Sequence, residues 1–173
     1  MSGARDGKMS LSVINELDRE QFAAALGSVF EHSPWVAESA WSGRPYASVG
    51  ALHEAMMDVV RGSPKDRLIA FLRAHPDLGT RLAVTPYSAS EQAGAGLDRL
   101  TAEEYEIFTN LNKTYVERFG FPFILAVKGK GKEEILEAMR TRANHDAERE
   151  LSEALAQISR ITGFRLADLL ADE

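Results

Sequence analysis

The sequence has no cysteine. Disulfide frameworks, cysteine-ligated zinc, iron–sulfur clusters and thiol nucleophiles are thereby excluded, and the absence suits a reducing compartment. There is no apolar run near the roughly 20 residues that a membrane helix needs. Met1 to Asn15 lacks the apolar centre of a signal peptide, and Ala171-Asp172-Glu173 is not a peroxisomal Ser-Lys-Leu tail. Basic residues are outnumbered: 20 Lys and Arg face 26 Asp and Glu, for a formal net charge of −6 and a pI of about 5.3. A nucleic-acid binder shows a basic face, as does a protein that binds anionic membranes. Neither partner is expected, and the default is a cytoplasmic protein.

Several chemical signatures are also missing. No G-x-G-x-x-G occurs, and Gly129-Lys130-Gly131-Lys132 has neither the spacing of a Walker A loop nor its Ser/Thr after lysine. His53-Glu54 begins like H-E-x-x-H, but Met57 stands where the second histidine belongs. No histidine follows a glutamate by three, so the di-iron bundle motif is absent, and there is no G-x-S-x-G elbow. If the chain is an enzyme, it is expected to work without metal, nucleotide or covalent nucleophile.

What is present is a globular composition. Of 173 residues, 45% are hydrophobic and 27% charged, close to the average of folded domains. A chain of this size buries roughly 70% of its extended surface, enough to fold without a staple. Helix starts are frequent. Asp18 with Gln21 has capping-box spacing and opens a helix expected to run through Phe30. Ser33-Pro34 starts another, ending near Gly43; Ser48 starts a third through Val60; Ser63-Pro64 starts a fourth to Ala74. Ser88 with Glu91, and Thr101 with Glu104, read as two more capping boxes, the second opening a long helix that stops at Gly120. Phe121 to Val127 is the one β-like run and reads as a buried extended strap, since a lone strand makes no sheet. Helices at about Glu133 to Arg142 and Asp146 to Leu170 complete the chain. The expected fold is all-α: a single compact domain of about eight helices over residues 11–173, with one short strap and a flexible N-terminus at 1–10.

Four features carry possible chemistry. In Arg73-Ala74-His75-Pro76-Asp77-Leu78-Gly79 the proline holds His75 off helical dihedrals, at a corner. A histidine there either caps a helix end or moves protons near neutral pH; Asp77 beside it fits a first-turn acid. Ser88-Ala89-Ser90-Glu91-Gln92 is explained by capping alone, or else sets a carboxylate and an amide side by side to accept a proton and donate to a carbonyl. The last helix has an expected inward stripe of Leu151, Leu155, Ile158, Thr162, Arg165 and Leu169. A guanidinium on an apolar stripe requires an anion, either an internal carboxylate or a substrate's. Finally, Phe119-Gly120-Phe121-Pro122-Phe123-Ile124 cannot continue a helix at Pro122, so its backbone groups need partners of another kind. His32, His53 and His145 read as surface or helix-face residues without a role.

Together and in this order, these pieces resemble the 2-oxo-4-hydroxy-4-carboxy-5-ureidoimidazoline (OHCU) decarboxylase family. The matching text is Phe30-Glu31-His32-Ser33-Pro34-Trp35-Val36-Ala37, Arg44-Pro45-Tyr46, His75-Pro76-Asp77-Leu78-Gly79 and Ser88-x-x-Glu91-Gln92-Ala93. It continues through Asn112-Lys113-x-Tyr115-x-x-Arg118-Phe119-Gly120-Phe121-Pro122-Phe123-Ile124 to Arg165-Leu166. The resemblance implies an all-α, cofactor-free and generally dimeric decarboxylase acting on a small ureidoimidazoline to give (S)-allantoin. It implies His75 and Glu91 as catalytic residues. Pro76, Ser88, Gln92, Arg165 and the backbone around Phe121, Phe123 and Ile124 become substrate contacts. The alternatives left open are a same-fold enzyme on a related ureide and a non-catalytic helical binding module.

Overall fold

Local capping decides where the helices begin. In the computed structural model, which describes residues 7–80 and 84–172, Ser10 caps α1 (Leu11–Glu16) by accepting from the Ser12 N–H at 3.2 Å. Asp18 and Gln21 exchange side-chain and backbone bonds across the start of α2 (Arg19–Leu26), as the capping-box spacing requires. Next come α3 (Trp35–Ala40), a 3-10 turn at Trp41–Gly43 and α4 (Val49–Arg61), whose N-cap is Ser48. Then follow α5 (Lys65–Arg73), α6 (Pro86–Gly94), α7 (Ala102–Phe119), α8 (Lys132–Arg142) and α9 (Ala147–Leu169). The described residues are thus mostly α-helical, with nine α-helices among them. The one sheet among them is a two-residue parallel bridge, β1 (Met9–Ser10) to β2 (Leu170–Ala171), with Met9 opposite Leu170.

The chain forms two compact units. One holds the described residues up to Leu68 and those from Ser159 onward; there α3 packs against α2 and α4 over a core that includes Phe22, Leu26, Phe30, Leu52, Met56 and Met57. The other holds the described residues from Ile69 to Ile158, with α7 against α8 and a core built on Phe108, Tyr115, Phe123 and Ile135.

Several expectations are corrected. α2 stops at Leu26, and the stretch to Pro34 is turns. Ser33 does not cap α3: its hydroxyl donates to the Glu31 carbonyl at 2.8 Å, and Pro34 takes the cap position without a side-chain bond. Ser88 and Glu91 are not a capping box either. Thr85 caps α6, accepting from the Ser88 N–H at 3.3 Å, and Pro86 opens the helix. α1 is an additional helix that the sequence pattern does not announce. In α9 the buried stripe is Glu150, Ala154, Gln157, Ile158, Thr162, Arg165 and Leu166, while Leu151, Leu155 and Leu169 lie half-buried at its edge. Residues 1–6 of the expected N-terminal tail lie outside the described residues.

Candidate active site

The histidine corner is the most determined part of the second unit. α5 ends at Arg73, and the His75 N–H donates to the Leu72 carbonyl at 3.2 Å. The ring is buried, 8% exposed, and its Nδ1 lies 3.1 Å from the Phe71 carbonyl. A carbonyl only accepts, so Nδ1 carries hydrogen and the neutral ring keeps its lone pair on Nε2. Phe71 also packs edge-on against the ring at 5.2 Å. After Pro76 the backbone turns sharply. Gly79 has φ +72°, and a Cβ there would meet Leu100 Cδ1 at 2.9 Å and Phe108 Cγ at 3.3 Å, so the turn needs glycine on two counts. Asp77 is exposed overall, and desolvation raises its carboxyl above the usual range.

Helix α6 presents Ser88, Glu91 and Gln92 on one face, three and four residues apart. Ser88 and Gln92 are buried and Glu91 half-buried. Gln92 reaches the histidine corner directly. Its Oε1 accepts from the Gly79 N–H at 3.0 Å, and its Nε2 donates to the Asp77 carbonyl at 3.4 Å. The structure therefore ties Gln92 to the turn that follows His75 and Pro76, with Ser88 and Glu91 beside it on the same helix face. Half of the Gln92 amide is spent on holding the turn.

The strap from Phe121 to Val127 is extended and buried throughout. It leaves α7 through Gly120, which sits at φ +81° as the helix stop, and Arg73 Nε ties the Gly120 carbonyl at 2.7 Å to the end of α5. Phe121 and Phe123 pack edge-on against Tyr115 at 6.0 and 5.4 Å, so both rings serve the core. Further along, Arg142 Nη1 donates to the Ile124 carbonyl at 2.6 Å and the Ala126 N–H donates to Gln157 Oε1 at 3.0 Å. Among the described residues the N–H groups of Phe121, Phe123, Ile124 and Leu125 have no acceptor. A buried extended segment with a row of unanswered donors is suited to a planar ligand rich in carbonyl and ring-nitrogen acceptors.

Arg165 belongs to the first unit. Only 3% exposed, it donates from Nη2 to Glu31 Oε1 at 2.8 Å and from Nη1 to the Val29 carbonyl at 3.0 Å. Its anion in this structure is therefore an internal carboxylate, one of the two partners the stripe argument allowed.

Two polar groupings escaped the sequence reading. Asn112 stands between Phe108 and Tyr115 on the buried stripe of α7 and donates to the Leu78 carbonyl at 2.8 Å. An amide at i+4 on an otherwise aromatic stripe was the available signal. The second is a buried cluster around Glu150, itself 0% exposed, which accepts from the Tyr115 hydroxyl, from Arg142 Nε at 2.9 Å and from His145 Nδ1 at 2.9 Å. His145 is therefore no plain surface residue, and His53 is half-buried against the Thr162 hydroxyl at 2.9 Å. The His53–Thr162 pairing has no sequence signature because its partners meet only through tertiary packing, whereas His145 and Glu150 are five residues apart across the start of α9.

A family model for OHCU decarboxylase matches residues 15–167, from α1 to the last turn of α9. The chain belongs to the OHCU decarboxylase family. It is 44% identical over 166 residues to the 2-oxo-4-hydroxy-4-carboxy-5-ureidoimidazoline decarboxylase of Haloferax volcanii, covering 96% of this chain and 99% of that one. It is 42% identical over 160 residues to a uric acid degradation bifunctional protein of Bacillus subtilis, matching 92% of this chain and 32% of that protein. Among solved structures it is similar to an (S)-allantoin synthase crystal structure, with TM-score 0.75 and 31% identity over 94% of this chain and 54% of that one. The histidine corner, the α6 face and the strap all lie within the span that defines the family.

Proposed function

We propose that this chain is a carboxy-lyase that converts 2-oxo-4-hydroxy-4-carboxy-5-ureidoimidazoline to (S)-allantoin in urate degradation. The observation that carries the reading is the full-length family match, with the His75 corner and the α6 face lying inside it. The substrate's chemistry explains why no cofactor need be invoked. One ring carbon bears both the carboxylate and a hydroxyl, and its neighbour is the C=N carbon that bears the ureido group. When the bond to the carboxylate breaks, its electron pair enters the ring as a C=C bond, the C=N electrons move onto nitrogen, which takes up a proton, and CO₂ leaves. The substrate is its own electron sink. The enol-like intermediate then loses its hydroxyl proton and gains one on the ureido-bearing carbon; addition to one face gives a single enantiomer.

In this reading Glu91 takes the hydroxyl proton, and His75 orients the carboxylate and shuttles a proton through Nε2, its Nδ1 being committed to Phe71. Pro76, Ser88 and the second N–H of Gln92 flank the ring. The main chain at Phe121, Phe123 and Ile124 reads its amides. Arg165, whose Nη2 meets Glu31 and whose Nη1 meets the Val29 carbonyl, is a further substrate contact on the strength of the family resemblance alone. The proposal includes a cytoplasmic homodimer without nucleic-acid or membrane partners, in keeping with the net charge of −6; light scattering would then give about twice 19.0 kDa.

The test generates the substrate in the cuvette from urate with urate oxidase and hydroxyisourate hydrolase, and follows circular dichroism. Added protein should speed loss of the intermediate and leave optically active allantoin. His75→Ala and Glu91→Gln should each lower kcat by about 10²-fold or more, the range of general acid–base catalysis. Unchanged decay to racemic product would remove the reaction, and wild-type turnover by either variant would remove that residue's role.

A further inference from the structure

We infer that Asn112 is a positioning residue for His75, acting through the turn that carries it. This inference rests on the reading of His75 as a catalytic group. The turn after His75 exposes three successive backbone polar groups to side chains from two different helices. Gln92 on α6 brackets it at the Asp77 carbonyl and the Gly79 N–H, while Asn112 on α7 holds the Leu78 carbonyl between them. Residues 77, 78 and 79 are thus clamped from both sides by uncharged amides. Such groups fix geometry without placing a formal charge beside a proton-transfer centre.

Packing alone does not explain an asparagine at this position. Phe108, Asn112 and Tyr115 are the buried residues of α7, and Asn112 is 4% exposed with its Oδ1 left without a partner among the described residues. An unanswered buried acceptor is destabilising, and removing the amide altogether would leave the buried Leu78 carbonyl unanswered in its turn. Leucine could fill the stripe, so what asparagine adds is its one bond to the Leu78 carbonyl. The amide orientation is fixed by that partner, since turning Oδ1 toward a carbonyl would set two acceptors face to face. His75 is three residues upstream of Leu78, with rigid Pro76 between them. Any slack in the turn is therefore passed to the histidine, and a displacement near 1 Å can cost about 10²-fold in rate.

The experiment compares wild type, Asn112→Leu and Asn112→Asp in the coupled assay, with enough enzyme that spontaneous racemic decay is a minor fraction of flux. Hydrogen exchange at the Gly79 amide is measured alongside. Asn112→Leu should keep the wild-type far-ultraviolet spectrum and KM. Its kcat should fall about 10- to 100-fold, its allantoin should lose enantiomeric excess, and its Gly79 amide should exchange at least about tenfold faster. In Asn112→Asp a protonated carboxyl can donate to Leu78 and an ionised one cannot. Its kcat should therefore gain an alkaline limb that the wild type lacks. A folded Asn112→Leu with wild-type kcat, enantiomeric excess and Gly79 exchange would overturn the inference. Should the leucine variant not fold, an Asn112→Asp pH profile superimposable on wild type would overturn it instead. If wild type itself fails to accelerate the reaction, the functional reading falls, and Gly79 exchange still decides whether the clamp exists.

Discussion

Glu31 and Glu150 are 2% and 0% exposed, and each is answered by an arginine: Arg165 at 2.8 Å and Arg142 at 2.9 Å. Such pairs add little net stability as they stand, but removing one member strands a charge where water cannot reach it. Glu31→Leu should therefore cost about 3–5 kcal/mol in urea denaturation, while loss of an exposed pair such as Arg61–Glu54 should cost less than about 1 kcal/mol. The Tyr115 hydroxyl beside Glu150 has its pKa raised far above 10.0, by burial first and by its bond to Glu150 second. The unfolded chain ionises this tyrosine near pH 10, and the folded chain does not. Its contribution to stability is thus complete below about pH 10 and declines as pH rises beyond it. Comparing urea midpoints at about pH 8 and pH 11, wild type should lose more stability than Tyr115→Phe. At this scale the sequence shows His75 and Arg165 because each breaks a local pattern, a proline corner in one case and an apolar stripe in the other. Glu150 breaks no pattern that can be seen without its partners Tyr115, Arg142 and His145.

Helix starts are readable where both halves of a capping box form as spaced. Asp18–Gln21 and Thr101–Glu104 form as spaced, and Gly120 stops α7 in the left-handed conformation that glycine adopts most easily. The Ser88–Glu91 box failed because Thr85-Pro86, three residues earlier, supplied a competing start of the same Ser/Thr-Pro form as Ser63-Pro64. The α9 stripe was misplaced by a different route. Over 23 residues the expected stripe meets the buried face at Ile158, Thr162 and Arg165 and leaves it at Leu151, Leu155 and Leu169, while Glu150 and Gln157 mark that face only because their partners lie on other elements. The strap reads as extended because Pro122 forbids helix, whereas which of its groups are answered depends on Arg142 and Gln157. The turn between α5 and α6 offers the sharpest test of element-level packing. Gly79→Ala combines a φ of +72° with contacts at 2.9 and 3.3 Å to Leu100 and Phe108. It should destabilise by about 2–4 kcal/mol, the left-handed penalty plus overpacking, seen as a lower urea midpoint at unchanged slope.

At the scale of the whole molecule the dominant quantity is a formal charge of −6, set against a proposed substrate that is itself an anion. At an ionic strength of about 10 mM the screening length is roughly 30 Å, and the net field opposes approach; at about 150 mM it is roughly 8 Å, and only nearby groups count. Accordingly kcat/KM should rise between these two salt concentrations, with kcat nearly constant. A fall would mean that local cations, rather than net charge, govern capture. The strap carries the other molecule-wide consequence. Its rings pack around Tyr115, and the contact proposed for it with substrate is peptide amide, which every amino acid except proline supplies alike. Recognition stored in that form is hidden from alanine scanning: replacing Phe121 or Phe123 would register as lost core, not lost affinity. The informative edit is atomic, an amide-to-ester replacement that removes one N–H and keeps every side chain. Such a site can also drift through many apolar sequences while presenting its ligand with the same surface.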